Sequence, residues 1–196
     1  MPKLPNKYAY LHRDPMPPLM VRVALDMLGV TEISGAADNP VILGWADEVN
    51  KICKTSYNNW AADFYNDDAI PWCGLFLAVV TARSSQGRPE RFPPNKYLAA
   101  LAWVNWGATV AKSDIQVGDV VVLVRQGGGH VFIAVGVSPD NERVMGIGGN
   151  QSDAVTLADF DAARIYAVRR PLYNQKPAGA RRVEISASGV VETDED

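Results

Sequence analysis

The stretch "AIPWCGLFLAVV", residues 69–80, determines how the rest of the chain is interpreted. Almost every residue from Trp72 to Val80 is apolar, so every face of a helix formed here would be apolar. This pattern predicts a central helix that is buried on all sides. Pro71, just before this run, is typical of a helix start. The sequence therefore places Cys73 at the N-terminus of a buried helix, where unpaired N–H groups and the helix dipole favour a thiolate.

Two amphipathic helices are predicted ahead of this central helix. Apolar residues between positions 19 and 28 follow one helical stripe, and Gly29 is a plausible stop. Asn39 is a good N-cap residue with Pro40 at the first helical position, and a second apolar stripe follows as far as Ile52. The first half of the chain is therefore expected to be helical.

The second half of the chain has the pattern of a sheet. The β-branched runs "DVVVLV", "HVFIAVGV", "RVMGIGG" and "RIYAVRR" are separated by Gly, Pro, Asp and Asn, which predicts sequential antiparallel strands. A short helix is also predicted over residues 97–103. Helices first and strands second indicate an α+β fold. We expect an N-terminal arm over residues 1–16, one domain over residues 17–172, and a flexible acidic tail over residues 173–196.

Composition restricts the class of partner. The chain has 196 residues, is 47% hydrophobic and has a net charge of -3, so no basic surface favours nucleic acid or an anionic membrane. No apolar run reaches the roughly 18 residues that a membrane span requires, and the N-terminus lacks the apolar core of a signal peptide. We expect a monomer made in the cytoplasm, without nucleic-acid or membrane partners, that needs another exit route for any role outside.

The chain contains few residues able to ligate a metal or form disulfides. The cysteines are Cys53 and Cys73, and the histidines are His12 and His130, which argues against a disulfide framework or a zinc site. Cys53 ends a helix with its own apolar stripe and is interpreted as a packing residue, and His12 lies in the proline-rich arm. No metal or organic cofactor is expected, and Cys73 with His130 is the pair of interest.

His130 follows three glycines at the start of a predicted strand, so it is expected at an exposed end of the sheet. Asn150, in "GIGGNQSD", ends the next strand, and a hairpin across "SPDNE" brings both residues to the same open end. There the amide oxygen of Asn150 can accept the imidazole N–H and fix the tautomer. Gln151 and Asp153 are alternative partners. A packed cysteine, a surface histidine and a turn asparagine remain the plain structural alternatives.

Three motifs in this order resemble a known family. "PWCG" opening a buried helix, "GDVVVLV" followed by "GGGHVFIAVG", and "GGNQSDAV" together resemble the papain-like cysteine hydrolases of bacterial cell walls, of the CHAP-like and NlpC-like type found in phage endolysins. The resemblance extends over roughly residues 17–170. It implies a nucleophile at the start of a central helix, packed on an antiparallel sheet that carries the base. Carried over residue by residue, Cys73 is the nucleophile, His130 the general base and Asn150 the orienting residue.

The resemblance also implies a function. The expected activity is hydrolysis of an amide bond in bacterial peptidoglycan, as an N-acetylmuramoyl-L-alanine amidase or an endopeptidase, without a cofactor. The expected setting is a phage endolysin that reaches the cell wall or periplasm after release by another route. Alternatives are an antibacterial effector delivered to rival cells, an inactive wall-binding or virion structural domain, and acyl transfer to an amine through the same thiol.

Several residues are expected to form the substrate groove. Trp72 and Gln151 are candidate substrate-binding residues, and Gly74 is expected to leave room for a substrate backbone near the sulfur. The aromatic-rich segment "SYNNWAADFYNDD", residues 56–68, is a candidate wall of the groove, with Trp60 and Tyr65 as its test positions.

Overall fold

The computed structural model describes residues 4–35, 37–53, 60–186 and 189–191, and in this part the chain has an α+β fold. The helices come first and the strands second. The helices are α1 (Leu19–Asp26), α2 (Pro40–Cys53), α3 (Trp60–Phe64) and α4 (Cys73–Ser84). The strands are β1 (Ala108–Val110), β2 (Val120–Arg125), β3 (Gly128–Val137), β4 (Arg143–Gly148), β5 (Thr156–Asp161), β6 (Ile165–Arg170), β7 (Glu184–Ser186) and β8 (Gly189–Val191).

The first two helices begin where their sequences predict, and α1 ends at Asp26, before the predicted stop at Gly29. Gly29 follows α1 with a φ of 85°, a conformation that favours glycine. Asn39 caps α2, because its side-chain oxygen accepts the Val41 N–H at 2.9 Å. At 14 residues α2 is the longest helix in the described ranges, and none of the helices there has the length and apolar character needed to cross a membrane.

The helix predicted over residues 97–103 is a shorter 3-10 helix, Ala100–Asn105. The physical reason lies in the carbonyl of Tyr97, which accepts a hydrogen bond from the indole of Trp103 at 3.0 Å. That carbonyl also lies against the first turn of α4. The segment before Ala100 is thus held by side-chain and packing contacts instead of a continuing helical ladder.

The main sheet has the strand order β1-β6-β2-β3-β4-β5, with antiparallel neighbours throughout. The hairpin predicted across "SPDNE" is confirmed, with Ile133 opposite Ile147 in β3 and β4. The sequence pattern of β-branched runs did not predict β5. The sequence of this strand, "TLADFD", contains two aspartates, and its residues are half-buried or exposed. A strand without a buried apolar face leaves little periodic signal.

The core is built around α4. All of its residues except Arg83 are buried, as the sequence predicts. It packs against α1, α2 and the helix-side face of β3, which presents Val131 and Ile133. The opposite face of the sheet has its own apolar cluster, which includes Phe132 and Leu123. The sheet therefore separates two apolar layers, and only one of them contains the helices.

The two chain ends differ from the expectation of an arm and a tail. Tyr8 and Leu11 lie in a 3-10 helix and are buried in the core. Val183 and Ile185 are buried too, and β7 pairs with β3. A Cβ at Gly136 would lie only 2.5 Å from the Ile185 side chain, so the glycine lets this segment pack closely. The polar composition of residues 173–196 concealed these apolar positions, and residues 192–196 lie outside the described part.

Asp119, directly before β2, forms a buried ion pair. Its two carboxylate oxygens accept hydrogen bonds from Nε and Nη2 of Arg170, each at 2.8 Å, and one also accepts the Gln116 N–H at 2.9 Å. The Asp119 side chain is only 2% exposed. The pair ties the start of β2 to the end of β6.

Replacement of Asp119 should therefore destabilise the fold. Asp119→Ala leaves the Arg170 guanidinium without its counter-ion, and we expect the free energy of unfolding to fall by about 3 kcal/mol. As a control, Lys7→Met breaks the partly exposed pair with Asp159 and should cost less than about 1 kcal/mol. Urea denaturation measures both values, and equal effects would contradict the structural role given to Asp119.

Candidate functional site

Cys73 is the first residue of α4, and its sulfur faces main-chain N–H groups. These belong to Val131, Gly74 and Cys73 itself. The Val131 N–H is available because the β3–β4 pairing begins only at Ile133 and Ile147. Burial raises the pKa of the thiol, and the three N–H groups and the charge of Arg125 only partly oppose that rise. Cys73 is therefore a neutral thiol at rest, and the neighbouring N–H groups would stabilise its thiolate form.

Gly74 does not leave room for a substrate, contrary to the expectation from the sequence. A Cβ at this position would lie 2.2 Å from the Tyr97 carbonyl oxygen and 2.6 Å from the Leu98 carbonyl oxygen. The space beside Gly74 is thus filled by the chain's own backbone. The glycine is required because the segment before the 3-10 helix packs directly on the first turn of α4.

His130 stands at the start of β3 and is half-buried, with its Nε2 3.2 Å from the side-chain oxygen of Gln151. The amide nitrogen of Gln151 donates to the Thr156 carbonyl at 2.7 Å. Because a carbonyl only accepts hydrogen bonds, the amide nitrogen must face Thr156, and the amide oxygen must face His130. The imidazole therefore carries its proton on Nε2, and Nδ1 is the free basic nitrogen.

The partner of His130 is thus Gln151, and the expected pairing with Asn150 is wrong. The side-chain nitrogen of Asn150 donates instead to the Glu32 carboxylate at 2.7 Å. Asp153 contributes through its carbonyl oxygen, which accepts the Glu32 N–H at 2.9 Å. Gln151 is also buried and engaged at both ends of its amide, which argues against the substrate-binding role expected for it.

Trp72 does not line a groove either. Its side chain is fully buried, packs edge-on against Trp45 with ring centroids 5.6 Å apart, and donates its indole N–H to Glu32 at 2.6 Å. Glu32 therefore holds both Trp72, directly before Cys73, and Asn150, directly before Gln151. Sequence analysis missed Glu32, since a single glutamate in a loop, 118 positions from Asn150, belongs to no motif.

The thiol and the imidazole approach the end of β3 from its two sides. Val131 belongs to the helix-side core, and by alternation His130 shares the other side with Phe132. The centroid of the His130 ring lies 5.8 Å from that of the Phe132 ring and 5.3 Å from that of the Phe160 ring. Within the described residues no hydrogen bond joins the thiol to the imidazole; such contacts often tighten only when substrate binds.

The electrostatics of the pair favour neutral groups at rest. Burial lowers the pKa of His130, the bond to Gln151 opposes this, and the charges of Arg125 and Arg164 lower it further. Burial acts on Cys73 in the same sense, because it too disfavours the charged form. The pair is therefore a neutral thiol and a neutral imidazole at rest.

An apolar cleft of about 640 Å³ adjoins the residues that lead into α4. Phe64 in its lining is 56% exposed. Tyr65 is buried and donates its hydroxyl to the Ile70 carbonyl, so it is not part of an exposed wall. Residues 56–59 and the Trp60 side chain lie outside the described part. The cleft is lined by Phe64, Ile70, Pro71, Asn95, Lys96, Leu98 and Ala99.

One group of carboxylates in the described ranges has ligand atoms close enough together for a cation, with Asp38, Asp67 and Asp68 all within 4.8 Å. The Asp68 oxygen already accepts the N–H groups of Ile33 at 3.0 Å and Asn39 at 2.8 Å. These bonds explain the cluster as a brace between the loops that precede α2 and α4.

Comparison of the chain with models of known protein families finds no match, and a comparison with curated proteins finds none either. The functional assignment therefore depends on the geometry of the site together with the motif resemblance described above.

The two hydrogen bonds of Glu32 should contribute measurably to stability. Glu32→Ala leaves the buried Trp72 indole and the Asn150 amide without their acceptor, and we expect a loss of about 2 kcal/mol in the free energy of unfolding. Glu32→Gln retains a side-chain oxygen and should lose less. Urea denaturation of the two variants separates them, and an unchanged Glu32→Ala variant would contradict the bridging role.

The lowered pKa of His130 predicts an acid-side loss of stability. Below the ordinary value of 6.5, the unfolded chain binds a proton at this residue before the folded chain does. The free energy of unfolding must therefore fall as the pH falls. His130→Gln should flatten this slope between about pH 6.5 and 5, whereas His12→Gln, at an exposed position, should retain it. Urea denaturation across this range measures the slopes, and identical slopes in all three proteins would refute the assignment.

Proposed function

We propose that the protein is a cysteine amidohydrolase of papain-like fold that cleaves an amide bond in the peptide part of bacterial peptidoglycan. The observation that carries the chemistry is the Gln151–His130 bond, oriented by Thr156, together with the helix-terminal thiol of Cys73, which faces the N–H of Val131, the residue after His130. The resemblance of "PWCG", "GGGHVFIAVG" and "GGNQSDAV" to cell-wall hydrolases supplies the substrate class. The proposed setting is a phage endolysin that reaches the wall after release by another route.

The first step is attack on the amide carbon. Nδ1 of His130 takes the thiol proton of Cys73 as the sulfur–carbon bond forms, which turns two neutral groups into an ion pair only when the substrate is in place. The carbonyl oxygen of the substrate becomes an oxyanion. The N–H groups at the start of α4, those of Cys73 and Gly74, have no partner within the helix and are the donors for this charge.

The second step releases the amine. The carbon–nitrogen bond breaks as His130 returns its proton to the leaving nitrogen, and a thioester on Cys73 remains. Water then gives a proton to His130 and attacks the thioester carbon, and the sulfur leaves with that proton. Throughout both steps Gln151 keeps the imidazole in the Nε2-protonated tautomer, so the same Nδ1 serves in each direction.

Two features of the structure are compatible with a peptidoglycan peptide as the substrate. The apolar cleft beside Pro71 offers a surface for the side chains next to the cleaved bond. Arg125 and Arg164 lie near His130 and are exposed, so they can attract the free carboxylates of wall peptides. The cleaved bond is proposed to be either the muramoyl–L-alanine amide or a bond within the peptide.

The decisive experiment digests purified, outer-membrane-free peptidoglycan and identifies the new amino groups by mass spectrometry. Wild type should release peptide fragments, and Cys73→Ser should release none. Retained release by Cys73→Ser would overturn the proposed nucleophile. Absence of release by folded wild type on several wall types would favour a wall-binding or structural role.

A matched pair of variants tests which amide orients the base. Gln151→Ala should lower kcat by about a hundredfold, because the imidazole loses its fixed tautomer and orientation. Asn150→Gly removes the neighbouring amide without straining the backbone, whose φ there is 55°, and should change kcat by less than about threefold. Rates of fragment release measure both effects, and the reverse order would restore Asn150 as the orienting residue.

The cleft predicts a separate effect on binding. Phe64→Ser removes exposed apolar surface and should raise KM by about tenfold while leaving kcat unchanged. The thermal unfolding midpoint should stay constant, since the side chain is mostly in solvent. An unchanged KM with soluble wall peptides as substrate would remove the cleft from the binding site.

A further inference from the structure

A second cleft, with a volume of about 530 Å³, lies at the far end of α4 from the thiol. It is lined by Thr81 and Ser84 of α4, by residues from 16 to 22, and by residues from 171 to 177. Ser84 ends the helix that Cys73 begins, so the two ends are about 16 Å apart along the helix axis. The second cleft is therefore separate from the candidate active site.

The charge of this cleft is of one sign. Three arginines line it, Arg22, Arg88 and Arg91, and no aspartate or glutamate is among the lining residues. The whole chain has a net charge of -3, so the local excess of cations does not follow from composition. Elsewhere in the described part Arg83 is paired with Glu48 and Arg170 with Asp119.

Two of the three guanidinium groups are free to bind a ligand. Arg91 is fixed, because its Nε donates to the Leu172 carbonyl at 2.8 Å. The side chains of Arg22 and Arg88, by contrast, form no hydrogen bond or ion pair with any other residue in the described ranges. Gln86, also in the lining, has a φ of 56°, an uncommon conformation for a residue other than glycine, in the turn that presents Arg88.

The remaining walls are aromatic and apolar. Trp106 and Tyr173 line the cleft with several prolines. A volume of this size is typical of sites for small molecules. Guanidinium groups bind carboxylate and phosphate through paired hydrogen bonds, and three of them around one concave surface repel each other unless an anion lies between them.

We propose that this cleft binds a small organic anion, with carboxylate or phosphate groups held by Arg22 and Arg88 and an apolar portion against the aromatic wall. The proposal is independent of the amide hydrolysis assigned to Cys73, because it depends on residues at the other end of α4.

The test is calorimetric titration of the full chain with two matched probes, isophthalate and phenyl phosphate. Each probe combines an aromatic ring with a dianionic charge, and they differ in the anionic group. Wild type should bind at least one of them with a stoichiometry of one. The double variant Arg22→Gln/Arg88→Gln should bind it at least about tenfold more weakly. Lys51→Gln, which removes one positive charge from an exposed position on α2, should bind as wild type does.

The relative affinities of the two probes identify the anionic group of the ligand, and two other outcomes would overturn the proposal. Tighter binding of isophthalate assigns a carboxylate ligand, and tighter binding of phenyl phosphate assigns a phosphate ligand. No saturation by either probe up to about 10 mM, or equal affinity in all three proteins, would overturn the proposal.

A measurement on wild type alone guards against a double variant that fails to fold. In NMR spectra the bound probe should shift the indole N–H resonance of Trp106, which lines the cleft, and leave that of the buried Trp45 unchanged. Shifts of both indoles by equal amounts, or of neither, would count against binding in this cleft. Loss of wall hydrolysis in Cys73→Ser should leave both measurements unaffected.

Discussion

The burial of α4 on all sides but that of Arg83 is the constraint on which the rest of this structure depends. A helix that is apolar on every face must be covered on every face, and α1, α2, the sheet and the backbone of Tyr97 and Leu98 supply that cover. The first turn of α4 lies beside the start of β3, which precedes the residues of β3 that pair with β4. Cys73 occupies that turn and is buried, with 7% of its surface exposed.

Burial also determines the protonation states of Cys73 and His130. Both ionisable groups are held in their neutral forms, and the neighbouring dipoles favour the ions only as they form. Gln151 and Thr156 fix the tautomer of His130 through bonds that leave no alternative orientation for the amide. Glu32 then joins the residue before Cys73 to the residue before Gln151, so the two halves of the site share one carboxylate.

Much of this arrangement was predictable from local sequence. Helical stripes, the Asn39 cap and the β-branched runs are short-range patterns, and they correctly predict α1, α2, α4 and the β3–β4 hairpin that places His130. The choice between Asn150 and Gln151 was not predictable, because it depends on left-handed backbone at Asn150 and two further loop positions. Glu32, the burial of Trp72 and the docking of β7 are long-range effects without a local pattern.

The proposed attack of Cys73 on the amide carbon, with His130 as base, requires a covalent thioester. The most direct measurement is intact-protein mass spectrometry of samples quenched in acid during turnover of soluble wall peptides. We expect an adduct with the mass of the acyl fragment, located on Cys73, released by hydroxylamine and absent in Cys73→Ser. Release of peptide fragments without any adduct, or an adduct on another residue, would contradict it.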